Sequence, residues 1–433
     1  MTLGTHVHHP LAHWAHTRPH AVALASESQR LTFADLHARV QQRAAQLAAA
    51  QAPATVLLPG TGGVVHTLVE FLAVLAAGRC AAVGDPAWPA PIAQSVQAAI
   101  AALPPLVPPP APGQEPFYIG FTSGSSGMPK GFRRHHQSWV ESFRVSQHDF
   151  GEAMAGRIVA PGSLTASLFL FGALLGLWTG AGSVVQEHFS AERTLRDLAS
   201  APATVLVAVP SQLLLMLQWA QRRHCAPVAQ VQLVLISGAR WMREHTPALR
   251  QLFPQARIVE FYGASEASYV AWMDASEDAP PQAVGRPFSN VALRIGEHPH
   301  TPVPQGEAGR IWVRSPMLFM DYVHAIDGSA AVQEDGWLSV RDMGWLDAQG
   351  LLHLCGRESR MLVTQGKNLF PEEVEARLLA HPAIAQASVL GLPDLLRGLR
   401  VHAVLAVAPG QTLPEGLALA HWCRATLEAY KAP

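Results

Sequence analysis

Runs of Val, Ile and Leu alternate along this chain with stretches of helical character, and that alternation narrows the fold more than any other feature. TVLLP (Thr55–Pro59) precedes a helical pattern through Val69–Ala77, then CAAVG (Cys80–Gly84). Later come TVLVAVP (Thr204–Pro210), QLVLISG (Gln232–Gly238) and RIVEFYG (Arg257–Gly263). Strands buried on both faces read as unbroken apolar runs, and helices between them indicate parallel α/β layers. From about Gln282 the pattern changes to short strands with turns: VALRIGE, GRIWVRS, GWLSVRD and GLLHLCGR. These suggest a small antiparallel, barrel-like part over about 282–357. A strand (RMLVTQG), a helix opening at Pro371 with acids in its first turn, and another strand (IAQASVLGL) then predict a small α+β unit.

The 433 residues, 49% hydrophobic and 15% charged, suffice for two or three domains with a large core. A net charge of -1 gives no electrostatic case for a nucleic-acid partner. Cys80, Cys225, Cys355 and Cys423 are far apart and form no CxxC, which fits a reducing cytoplasm. The leading MTLGTHVHHPLAHWAHTRPH has no apolar core of a signal peptide, and its histidines read as surface positions on a leading helix. Leu164–Val185 and Ala199–Ala220 are long enough to span a bilayer. Internal glycines in the first, Pro210-Ser211 in the second and the lack of flanking Lys/Arg clusters make both core segments, so no membrane span is expected. The Pro-rich stretch 103–116 reads as a stiff connector that is neither helix nor central strand.

Thr122–Gly131 reads TSGSSGMPKG and follows an aromatic strand, FYIGF. Its glycines allow close backbone approach to an anion; hydroxyls, backbone N–H groups and Lys130 can cradle phosphate oxygens. A strand end is also where α/β sheets place ligands. The Walker spacing GxxxxGK[ST] is absent, which argues against a P-loop nucleotidase.

With FYGASEAS (Phe261–Ser268), RDMGWLDAQGLLHLCGR (Arg341–Arg357) and GRESRMLVTQGKNLFPEEVE (Gly356–Glu375) in the same order along the chain, it resembles the ANL superfamily of adenylate-forming enzymes. That group includes acyl- and aryl-CoA synthetases, luciferases and peptide-synthetase adenylation domains. The resemblance runs from about residue 10 to the end. It implies a large N-terminal domain (1–357) and a small α+β C-terminal domain (358–433). It also implies that a carboxylate attacks the α-phosphate of ATP, giving acyl-AMP and pyrophosphate, before transfer to the thiol of CoA or of a carrier-protein phosphopantetheine.

Residue by residue, the resemblance implies that Thr122, Ser123, Gly124, Ser125, Ser126, Gly127 and Lys130 form the ATP-phosphate loop. Glu266 would carry Mg²⁺, a hard cation suited to carboxylate oxygen, and Ser265 would touch the α-phosphate. Lys130, Ser265 and Glu266 are thus the expected catalytic residues. Tyr262 would lie on the adenine, with Glu260, Phe261 and Gly263 beside it and Gly238 and Ala239 opposite. Asp342 would accept from the ribose hydroxyls and Arg357 would add a contact. Ser359 stands at the hinge, and Gly366 and Lys367 at the loop serving thioester formation. Thr165, Phe169 and Gly263 would line the acyl pocket.

Four departures qualify the resemblance. VRD replaces the usual TGD before Asp342, and Ser359 replaces the usual Asp or Lys hinge. The N-terminal sheet is expected to be trimmed, with the Pro-rich connector replacing a βα unit. The chain stops at LEAYKAP, so no residue takes the role of the family's C-terminal lysine, and the small domain is expected to be incomplete. Slow adenylation, or a nucleotide- or acyl-AMP-binding homologue, is the alternative this implies. Amino-acid-activating domains place an Asp where Thr165 stands; without it a substrate ammonium would be unpaired. A neutral aliphatic or aromatic acid is therefore expected, with an amino-acid adenylation domain the second alternative.

Overall fold

The computed structural model describes residues 4–105, 111–122, 128–276, 278–280, 282–324 and 331–433. The chain divides into two compact units. The first is Met1–Asp278, Pro287–Ala292 and Arg314–Ala330; the second is Ala279–Arg286, Leu293–Val313 and Ala331–Pro433.

Two sheets build the first unit. In the larger, strands Arg257–Ala264, Val231–Ile236, Thr204–Ala208, Arg157–Ala160, Ser183–Val185 and Val22–Ala25 lie parallel in that order. Antiparallel strands Ser268–Asp274 and Arg30–Thr32 flank this parallel run on its two sides. Every residue of Thr204–Ala208 is buried, as expected of a strand covered on both faces. The smaller sheet runs Thr55–Leu58, Cys80–Val83, Pro116–Thr122, Lys130–His135 and Asp321–His324. Its first three strands are parallel and its last two antiparallel. Helix Ala90–Ala101, opening at Pro89 with Pro in its first turn, lies in the crossover between the second and third strands. Pro116, at the end of the predicted connector, begins a strand, a position where its missing N–H is tolerated.

The first long apolar stretch holds helix Ser167–Thr179, with Phe169–Trp178 buried all round. Such a helix belongs to a core or a membrane. Here Gly176 decides the matter: a Cβ there would stand 2.2 Å from Ser183 Oγ and 2.5 Å from Gly182 O, so the helix is pressed onto the sheet. The second stretch divides into strand Thr204–Ala208 and helix Pro210–Arg223, which begins at its proline. Among the described residues, no helix is long and apolar enough to cross a membrane.

The leading histidines depart from expectation. Only His13 and His16 lie on helix Pro10–Thr17; His6, His8 and His9 precede it. His6 packs 4.2 Å from His9 and 4.4 Å from His136, which itself stacks on Phe117. Burial, with the neighbouring His9 and His6, pushes the His8 imidazole down to about 3. His6 and His8 are half-buried packing groups because the segment before the helix folds back onto His136, whose Nδ1 accepts from the Val7 N–H, whereas His9, His16 and His20 stay exposed.

In the second unit, strands Val332–Glu334, Trp337–Ser339, Gly309–Arg314, Asp342–Leu346, Leu352–Arg357 and Ala283–Pro287 follow one another, as the turn-rich pattern predicted. The pairs whose registers are resolved are antiparallel. A further core gathers Leu369, Val374, Leu378, Ile384, Val389, Val401, Leu419 and Cys423. These residues come from strand Lys367–Leu369, helices Pro371–Leu379 and Gly416–Arg424 and the hairpin Ile384–Asp394/Gly398–Val407.

Candidate functional site

The phosphate-loop motif begins and ends on two paired antiparallel strands. Strand Pro116–Thr122 pairs with Lys130–His135, so Thr122 and Lys130 face each other across the ladder. Ser123–Gly127 lie outside the described residues. Lys130 itself is buried.

A second hairpin brings Ser265 and Glu266 to this region. Strands Arg257–Ala264 and Ser268–Asp274 pair through Gly263–Tyr269 and Ala264–Ser268, leaving Ser265, Glu266 and Ala267 as the turn. Gly263 must be glycine, since a Cβ would stand 2.2 Å from the Ser268 carbonyl oxygen. Ser268 closes the turn at φ +59. Distant parts of the chain hold this turn. The Phe319 N–H donates to the Glu266 carbonyl at 2.7 Å, and the Tyr322 hydroxyl donates to Glu266 Oε1 at 2.7 Å. Arg134, on the strand that starts at Lys130, donates to the Ser265 carbonyl, to Ser268 Oγ at 2.7 Å and to the Met317 carbonyl. Tyr322 reaches Glu266 because its strand, Asp321–His324, pairs with Lys130–His135.

Between these hairpins and helix Ser167–Thr179 lies a cavity of ≈ 190 Å³. Gly238, Phe261, Gly263 and Ser265 line it, as do Leu168 and Phe171. Of the expected acyl-pocket residues, Gly263 lines this cavity and Thr165 and Phe169 do not. The helix starts at Ser167, and side chains three apart share a face, which gives the cavity Leu168 and Phe171. Phe169 turns about one hundred degrees away and is buried against Gly162. Thr165 stays in the preceding turn, 2.9 Å from Ser163 Oγ.

Of the expected nucleotide residues in this unit, Phe261 and Gly238 reach the cavity; Ala239 is exposed beside Gly238, and Tyr262 is half-buried one residue along. The Glu260 side chain is committed elsewhere: its buried carboxylate takes Arg243 Nε at 2.6 Å. The sequence reading missed Arg134 and Tyr322. Paired arginines after PKG are a visible signal for Arg134, but nothing local points to Tyr322.

In the second unit Asp342 pairs with Arg357 across two antiparallel strands, with Nε 3.3 Å from Oδ1. Ser359 sits in the short turn Glu358–Arg360. Burial acts to raise the Glu358 carboxyl, but hydrogen bonds and charge from Arg310 and Arg341 hold it below its usual range. Gly366 closes a two-residue turn with Gln365, both at positive φ, and Lys367 begins the returning strand. Lys431 is buried between Glu373 and Glu428, each at 2.8 Å.

Residues 92–323 match the AMP-binding enzyme family, and residues 373–433 match the AMP-binding enzyme C-terminal domain. The chain belongs to the AMP-binding enzymes, within the ANL superfamily. Among relatives in that family, the uncharacterized acyl-CoA ligase YhfT of Bacillus subtilis is 38% identical over 323 residues, 74% of this chain and 64% of that one. The indoleacetate–CoA ligase of Aromatoleum aromaticum is 31% identical over 333 residues, 74% of this chain and 62% of that one. The chain thus spans less than two thirds of the length of these relatives. The fold of the family is also seen in ATP-bound MatB from Rhodopseudomonas palustris, with a TM-score of 0.82 at 21% identity over 99% of this chain and 94% of that one. It recurs in o-succinylbenzoate CoA synthetase from Bacillus subtilis with its acyl-adenylate, with a TM-score of 0.81 at 22% identity over 98% and 92%.

Proposed function

We propose that the protein activates a carboxylic acid lacking an α-ammonium group with ATP, forming acyl-AMP and pyrophosphate, and then passes the acyl group to a thiol. One observation carries this reading: the Glu266 carboxylate is fixed by Tyr322 in a turn braced from the same strand that begins at Lys130. That arrangement sets a carboxylate and a lysine on adjoining hairpins, as transfer at a nucleotide phosphate requires. Charge builds on phosphoryl oxygens in the transition state, and donors and cations held in advance stabilise it without reorganising.

A Mg²⁺ ion fits this donor set. Magnesium is commonly held by one or two carboxylates with substrate phosphates completing its shell. Glu266 supplies such a carboxylate, and among the described residues no cluster of three metal-binding side chains competes for the ion. Bound there, the ion would neutralise charge on the phosphates. Thr122, Ser123, Gly124, Ser125, Ser126, Gly127 and Lys130 hold those phosphates in our reading, and Ser265 meets the α-phosphate. Tyr262, Phe261, Gly238 and Ala239 take the base. Asp342 takes the ribose, with Arg357 beside it.

The acid enters the cavity over Gly263, between Leu168 and Phe171. Among the described residues no carboxylate lines that cavity to receive an ammonium, which supports an acid without one. Ser359 is the hinge between half-reactions, and Gly366 and Lys367 serve the second. We take CoA as the acceptor, as the names of the relatives suggest, with a carrier-protein phosphopantetheine the other thiol of the same chemistry. The free cysteines support a cytoplasmic setting.

ATP–pyrophosphate exchange across short-chain, medium-chain, aryl and α-amino acids tests this. Exchange with one class of simple acid is expected. Strong exchange with a plain α-amino acid, or none with any acid, would sink the reading.

A further inference from the structure

Arg134 is 1% exposed, yet none of its hydrogen-bond partners is a carboxylate. Its Nε donates to Ser138 Oγ at 3.2 Å, one Nη to the Ser265 carbonyl, and the other Nη to Ser268 Oγ and the Met317 carbonyl. A guanidinium carries five N–H donors, so these four bonds leave one, on the nitrogen that binds Ser265. A buried cation satisfied only by neutral groups is costly, and a leftover donor adds to that cost. Burial lowers the Arg134 guanidinium to about 9, with the Glu266 charge acting in the opposite sense. If Glu266 serves phosphates and Mg²⁺, that countercharge is largely spent during the reaction.

Arg134 also lines the ≈ 190 Å³ cavity. The rest of that wall is mainly apolar and aromatic, with Trp139, Phe171, Phe261 and Tyr269. The volume compares with the roughly 150 Å³ engineered cavity that holds benzene. A wall of this kind with a few placed polar groups is how small-molecule sites fix orientation. The structure therefore offers a ring-sized apolar space with one buried, positively charged donor in its wall.

We propose that this cavity selects a compact acid whose acyl group carries a second oxygen acceptor, and that Arg134 is the residue that reads that oxygen. This rests on the ligase reading for the acid's reacting end and deepens it by naming the substrate class. The second oxygen belongs to a ketone or to a further carboxylate. An acid without it leaves the Arg134 donor unmet once the cavity is dry, and sites built around a donor reject such analogues strongly.

The test is calorimetric binding of matched acids to the full chain with AMP present, with ATP–pyrophosphate exchange read separately. The pairs are benzoate against 3-acetylbenzoate and 3-carboxybenzoate, and butanoate against butanedioate. In at least one pair the acid with the second oxygen is expected to bind about ten-fold tighter or more, the size of a hydrogen bond to a charged group. Arg134→Met should bring that ratio to about one, and Arg134→Lys should keep part of it. A merely structural role for Arg134 would weaken both members of a pair alike and leave the ratio unchanged, which overturns the proposal. So does equal or weaker binding of every second-oxygen acid to the wild-type chain, a result that needs no variant to fold. A binding preference without exchange would support the proposal and count against the ligase reading alone.

Discussion

The turn at Glu266 and the segment Gly356–Arg360 are both short, and both carry residues assigned to chemistry, but they are fixed by different physics. Glu266 and its neighbours are bound through backbone carbonyls and a carboxylate by residues 134, 319 and 322, from distant parts of the chain. The arginine among them is fully buried. Gly356–Arg360 is held mainly by ion pairs of partly exposed side chains: Glu358 with Arg310 and Arg341, and Arg360 with Glu372 and Glu375. Buried hydrogen bonds to charged groups are strong, whereas exposed ion pairs contribute little and are screened by salt. The first region suits a site set before reaction, as we propose for Glu266, and the second suits a segment that rearranges, as we propose for Ser359.

The sharpest way to break this contrast is Glu266→Ala. It should lower Mg²⁺-dependent exchange about 100-fold or more, and an unchanged rate would remove Glu266 from the site. Tyr322→Phe removes the 2.7 Å hydroxyl bond to Glu266 Oε1. It should lower the exchange rate about ten-fold and raise the Mg²⁺ concentration needed for half activity. If both values stay at wild type, the turn is not set by its buried partners. Ser359→Pro tests the other region. Fixing φ there should slow thioester formation by several-fold, about five, while leaving pyrophosphate exchange intact. Equal loss in both half-reactions would deny it a hinge role.

The smallest expected effect concerns acid. The Glu358 carboxyl lies below its unfolded value, so the stability it adds is complete above the usual carboxylate range and is lost as pH falls through the folded value. Hydrogen exchange, corrected for intrinsic rates, should show Gly356–Met361 losing a few-fold of protection from pH 6 to pH 4. Ala264–Ser268 should keep its protection. Parallel loss in both segments would erase the contrast.

The parallel layers were legible because strands such as Thr204–Ala208 must be apolar on both faces, and that requirement is written into consecutive residues. The helix at Pro371 was legible because its cap chemistry is local. Less of the site could be read. Arg134 and Tyr322 act on residues more than fifty positions away, and no spacing rule encodes such contacts. The pocket wall depended on helix phase: a start at Ser167 selects Leu168 and Phe171 over Phe169, and a shift of one residue in a predicted boundary exchanges them. His6 and His8 were misread as surface positions because their partner, His136, lies on another helix; His9, His16 and His20 are exposed as expected.

The helix Ser167–Thr179 has a consequence for how the protein is made. One side rests on the N-terminal segment, where the Trp14 indole donates to the Trp178 carbonyl at 3.0 Å. The other presses on strands Ser183–Val185 and Thr204–Ala208, which leave the ribosome later. At usual synthesis rates the interval to Ala208 is on the order of a few seconds. During it the nascent chain displays a greasy cylinder with half its cover still untranslated, an obvious client for a chaperone stationed at the exit tunnel.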